Sequence, residues 1–108
     1  MAIKRVIDSG SFIRGEEVHA FETNYASFIG TTHCVGVGNG FDALKLIFRA
    51  WIVSGVLKEG DEVLVPSNTY IATILSITDN RLVPVLIEPD ETMNISPASI
   101  EEKISGRT

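Results

Sequence analysis

The chain has 108 residues, of which 44% are hydrophobic and 21% charged, a composition that suits one domain or part of one and argues against both two full domains and bulk disorder. Nine basic residues face fourteen acidic ones, so the attraction to phosphate backbones that dominates nucleic-acid binding is not expected. The uncharged stretch Val63 to Thr78 includes Pro66 and several polar residues and is shorter than the ~20 apolar residues of a membrane span.

A lone Cys34 cannot form an internal disulfide, and the amino terminus lacks a long apolar stretch. Together these features predict a reducing, cytoplasmic setting with no membrane partner. No internal repeat or low-complexity tract is visible.

From Gly15 to Ile29, the residues Val18, Phe21, Tyr25, Phe28 and Ile29 fall on one helical stripe. Gly30 is placed to end that helix. The short run His33 to Val37, apolar at Val35 and Val37 and followed by glycines, predicts a buried strand. A second helix is predicted over Phe41 to Val53. There Leu44, Ile47, Phe48 and Trp51 mark one face, and Leu46, Ala50 and Ile52 make the other face apolar too. Such a helix is expected to be covered on both sides.

After the turn residues Gly55 to Asp61, the run Glu62 to Val65 predicts a second strand closed by Pro66. A helix follows over Tyr70 to Ile77, with Ser67, Asn68 or Thr69 available as its N-cap. Val83 to Ile87 predicts a third strand. Ser96 before Pro97 matches an N-cap with proline at the first helical position. Strands alternating with helices in this way predict an α/β fold, a β-α-β-α-β unit with a mainly parallel sheet. Three such strands would leave apolar faces that two crossover helices do not cover, so residues 1–108 are expected to be part of a larger domain.

The candidate chemistry sits at two places. In Gly38-Asn39-Gly40-Phe41-Asp42, glycines precede a helix, whose first turn offers unpaired N–H groups and a positive dipole end, an arrangement that favours anions. Asn39, Gly40, Phe41 and Asp42 form the candidate phosphate cradle, although the Asp42 carboxylate would repel a phosphate unless it turned aside to cap backbone N–H groups. The same residues followed by Ala43 match the G-x-G-x-x-A dinucleotide fingerprint, which keeps an NAD-binding reading open. That reading wants an acidic residue at the end of the second strand, where the chain has Pro66-Ser67-Asn68. At the start of the next helix, Tyr70 could stack on a flat heterocycle or simply pack.

The ordered motifs Phe12-Ile13, Gly15-Glu16-Glu17-Val18, Phe21-Glu22, Gly38-Asn39-Gly40, Asp42-Ala43-Leu44, Gly60-Asp61-Glu62-Val63, Thr69-Tyr70-Ile71-Ala72-Thr73 and Asn94-Ile95 resemble the DegT/DnrJ/EryC1/StrS family of pyridoxal-phosphate-dependent sugar aminotransferases. Members that aminate dTDP-linked 3-keto-6-deoxyhexoses are the most similar. The resemblance implies the amino-terminal part of an aspartate-aminotransferase (fold type I) large domain. It also implies pyridoxal 5'-phosphate as cofactor, with the turn Gly40-Phe41-Asp42 at its phosphate and Tyr70 on its ring. A nucleotide-linked keto sugar and an amino-acid donor, glutamate, would be the substrates of a homodimer. A sugar dehydratase of the same family and a non-catalytic module are the alternatives.

Phe41 stands where many relatives have threonine. The lysines Lys4, Lys45, Lys58 and Lys103 lie in helical or turn contexts suited to solvated charge. None is suited to hold the cofactor covalently, so this stretch by itself is expected to be inactive. His19, His33 and Cys34 lack metal-ligand spacing, and Glu16, Glu17 and Glu22 are expected to form a hydrated helix face.

Overall fold

A computed structural model describes residues 1–108 as two units, Met1–Val37 and Gly38–Thr108. In the first, Ile3, Val6 and Ile7 line one side of helix α1 (Ala2–Ser9), which ends where Gly10 takes a left-handed conformation and donates to the Val6 and Ile7 carbonyls. Helix α2 (Glu16–Ile29) begins with Glu16 and Glu17, whose charge suits the positive end of the helix. It stops at Gly30, whose φ of 82° is readily available only without a Cβ. Arg5 joins the two helices through Glu17 at 2.6 Å. That hydrogen bond and charge hold the Glu17 carboxyl below its ordinary range and raise the Arg5 guanidinium.

Phe21 and Tyr25 stack at 5.5 Å on α2, yet both remain exposed, and Ala26 is the one buried residue of that helix. Residues 33–37 do not form the expected strand. A strand exists only where a second backbone ladders with it, and the two strands of this chain pair with each other. The Gly36 N–H is instead taken by the Glu22 carboxylate at 2.6 Å.

The second unit contains helix α3 (Gly40–Val53), strand β1 (Glu62–Pro66), helix α4 (Ile71–Thr78), strand β2 (Val83–Ile87) and helix α5 (Pro97–Lys103). Strands β1 and β2 run parallel, from Glu62 opposite Val83 to Pro66 opposite Ile87, with α4 as the crossover. The observed unit is therefore β-α-β, one strand and one crossover shorter than the sequence predicts. Gly60, at φ 89°, makes the turn into β1 and donates to the Arg81 carbonyl at the approach to β2.

Phe48 of α3, Val65 of β1, Ile77 of α4 and Leu82 form the core, flanked by Ile52, Leu57, Val63 and Ile74. Leu46, Ile47 and Trp51 stay exposed, so α3 is covered on one face rather than two. Its other apolar residues find no second layer within this chain. Ser96 caps α5 by accepting the Ser99 N–H, with Pro97 opening the helix as expected. The α4 cap differs from expectation: Tyr70 occupies the position and makes no side-chain cap bond. No helix is long and apolar enough to cross a membrane.

At the start of β1, the Glu62 carboxylate accepts from the Ser105 hydroxyl and the Arg107 guanidinium. These partners, the hydroxyl first, hold its pKa below the ordinary carboxylate value. A depressed folded-state pKa contributes stability that is present above the unfolded value and lost as pH falls through the folded one. Glu62→Gln is therefore expected to lower stability at neutral pH. The difference from wild type should shrink on acidification below about pH 4.3, as followed by urea unfolding across that range. A difference independent of pH would assign the effect to packing alone.

Candidate functional site

The first wall of the site is the start of α3. Asn39 is extended, and its side-chain oxygen accepts the Asp42 N–H at 2.9 Å while its amide donates to the Asp42 carboxylate at 3.0 Å. The Ala43 N–H goes to the Asn39 carbonyl. This pairing fixes the turn and turns the Asp42 carboxylate onto Asn39. The N–H groups of Gly40 and Phe41, first in the helix, have no acceptor within the chain. A Cβ built at Gly40 meets no heavy atom within 4 Å, so the chain's own packing does not require glycine there.

Phe41 is half-buried beneath Lys45, whose ammonium lies 5.7 Å from the ring centroid and is held by Asp79 at 2.7 Å.

The second wall begins where β1 ends. The Thr69 N–H returns to the Pro66 carbonyl, and the chain then enters α4 at Tyr70. Tyr70 is 79% exposed, so it does not serve as a packing residue of this chain. The two walls enclose one open cavity of about 820 Å³, lined by Asn39, Gly40, Phe41, Ala43 and Leu44 on one side and Tyr70, Ala72 and Thr73 on the other. Of the candidate cradle and ring residues, the structure thus brings Asn39, Gly40, Phe41 and Tyr70 together. Asp42 lies off the cavity wall, with its own N–H occupied by Asn39.

Asn80 fastens α4 to α3. It is 6% exposed and donates to the Lys45 carbonyl at 3.1 Å and the Ser76 carbonyl at 2.9 Å. The sequence alone assigns no role in the site to Asn80 or Thr73. The i, i+3 spacing of Tyr70 and Thr73 was the available signal for the latter, since it places them on one helix side. None of the four lysines lines the cavity.

Two free amides at a helix start beside an exposed aromatic ring suit a phosphate joined to a flat ring. The end of β1 still offers no acidic residue for a dinucleotide ribose: Asn68, just beyond it, donates to the Met93 carbonyl. The profile of the DegT/DnrJ/EryC1/StrS aminotransferase family matches residues 1–108. The chain belongs to this family.

Among relatives in the family, it is 55% identical to the dTDP-3-amino-3,6-dideoxy-alpha-D-galactopyranose transaminase of Aneurinibacillus thermoaerophilus, an alignment covering 99% of this chain and 29% of that protein. The solved structure of Streptomyces venezuelae DesV superposes with a TM-score of 0.85 at 42% identity, over 99% of this chain and 28% of DesV. The E. coli GDP-4-keto-6-deoxy-D-mannose-3-dehydratase, solved with bound hydrated PLP, gives 0.90 at 32% identity over 99% and 28%. The chain has the α/β fold of the matching segment of these enzymes, and it spans less than a third of the length of each.

Proposed function

We propose that residues 1–108 form the amino-terminal part of the cofactor-binding large domain of a pyridoxal-phosphate-dependent aminotransferase. The enzyme moves an amino group from glutamate to the keto group of a dTDP-linked 3-keto-6-deoxyhexose. It works as a cytoplasmic homodimer. The reading is carried by the single cavity that joins the free amides of Gly40 and Phe41 to the open ring of Tyr70. The 55% identity to a transaminase named for a dTDP-3-amino sugar supports the substrate class.

In this reading the Gly40 and Phe41 N–H groups hold the phosphate, and Asn39 keeps them aimed by pinning Asp42. Tyr70 orients the ring and screens one of its faces from water. When bound, pyridoxal phosphate supplies an electron sink that lets an amino group leave one substrate and enter another. The covalent lysine and the carboxylate beside the ring nitrogen come from outside residues 1–108.

The test is incubation of the full-length protein with pyridoxal phosphate, glutamate and the dTDP-linked keto sugar. The expected result is 2-oxoglutarate and amino sugar in equal amounts. Loss of a sugar hydroxyl without amine incorporation would instead favour the dehydratase reading, which the fold likeness to the E. coli enzyme keeps in view. Tyr70→Ala should weaken cofactor retention by about 0.5–1.5 kcal/mol, the range of an aromatic stacking pair. Because the ring is exposed, thermal stability of the cofactor-free protein should not change. Unaltered retention, measured by dialysis and absorbance, would remove Tyr70 from the site.

A further inference from the structure

Three of the residues on the cavity wall carry polar side chains: Asn39, Tyr70 and Thr73. The Asn39 amide is occupied on both its oxygen and its nitrogen by Asp42. The Tyr70 hydroxyl stands at the rim of an exposed ring. Thr73 is different, being half-buried and held in place, because the Thr69 hydroxyl donates to its oxygen at 3.0 Å. Two hydroxyls have two protons between them, and one mutual hydrogen bond uses only one. The Thr73 proton is left without a partner within the chain, on the wall shared with Tyr70, while Thr69 lies behind it and does not line the cavity.

We propose that Thr73 is a further ligand-binding residue of this site, donating a hydrogen bond from its hydroxyl to the polar edge of the heterocycle that lies on Tyr70. Thr69 is its positioning residue, fixing the direction of the Thr73 hydroxyl by occupying the oxygen from behind. The inference rests on the cofactor reading above and adds a side-chain contact to one that otherwise uses backbone amides and a ring face.

The experiment compares Thr73→Val, Thr73→Ser and Thr69→Val in the full-length protein, measuring equilibrium binding of pyridoxal phosphate, the absorbance maximum of the bound form, and melting of the cofactor-free protein. Thr73→Val keeps the branched shape and removes the hydroxyl, so it should weaken binding about five-fold, the worth of one ordinary hydrogen bond, and shift the maximum. Thr73→Ser should restore both. Thr69→Val should lie between wild type and Thr73→Val.

If Thr73→Val binds as wild type does, or if its only change is a lower melting temperature, the proposal is overturned and the Thr69–Thr73 pair is a helix-start brace alone. A wild-type protein that takes up no pyridoxal phosphate overturns the cofactor reading together with this one, so the two failures are told apart by the unmutated protein.

Discussion

Gly40→Asp is expected to abolish useful cofactor binding while leaving the fold intact or slightly firmer. The position opens α3, where a Cβ meets nothing within 4 Å, and an acidic side chain in the first helical turn is favourable by about 0.3–1 kcal/mol. The same carboxylate would lie beside the free Gly40 and Phe41 amides and compete with the phosphate for them. Two like unit charges about 4–5 Å apart, at an effective dielectric of about 20, repel by roughly 3–4 kcal/mol, so affinity for pyridoxal phosphate should fall by at least about 100-fold. The pairing of an unchanged or raised melting temperature with lost binding is the signature sought. Binding equal to wild type would show that the phosphate is held elsewhere.

Ile77→Ala should give the largest loss of stability. Ile77 is fully buried, with Phe48, Val65 and Leu82 around it. Removing the side chain forfeits its transfer energy and leaves a cavity that rigid neighbours on α3 and β1 cannot fill, at a cost of about 2–5 kcal/mol. Val53→Ala, at a residue 76% exposed, serves as the comparison and should stay within about 0.5 kcal/mol of wild type. Urea unfolding of both variants measures the contrast, and a loss below about 1 kcal/mol for Ile77→Ala would mean that the core can collapse around the gap.

Features governed by neighbours in the chain could be read from the residues alone. The stripe on α2 and its stop at Gly30, the proline-led start of α5 and the limits of β2 all follow from side-chain spacing or from what one residue does to its own backbone. Residues 33–37 carry the pattern of a strand without forming one, because a strand is a property of two backbones, and apolar alternation does not say where the partner is. Helix α1 carries a signal in Ile3, Val6 and Ile7 with charges between them, but eight residues give the period little more than two turns in which to show.

In the site, the glycine turn and Tyr70 were visible as residue types at an expected edge. The fixing of Thr73 by Thr69 and the Asn80 link to Lys45 were not, since the first depends on the side-chain rotamers of two hydroxyls and the second joins residues 35 apart.

The way Lys45 is held has a consequence for how a ligand arrives. Its charge is neutralised by Asp79 and set against the Phe41 ring, and the chain as a whole carries −5. With its one nearby ammonium neutralised, the site proposed above would grip an incoming phosphate through amide dipoles, on contact. Capture of this kind trades speed of encounter for indifference to ionic strength, because dipoles act over less than a Debye length and mobile ions have little to screen.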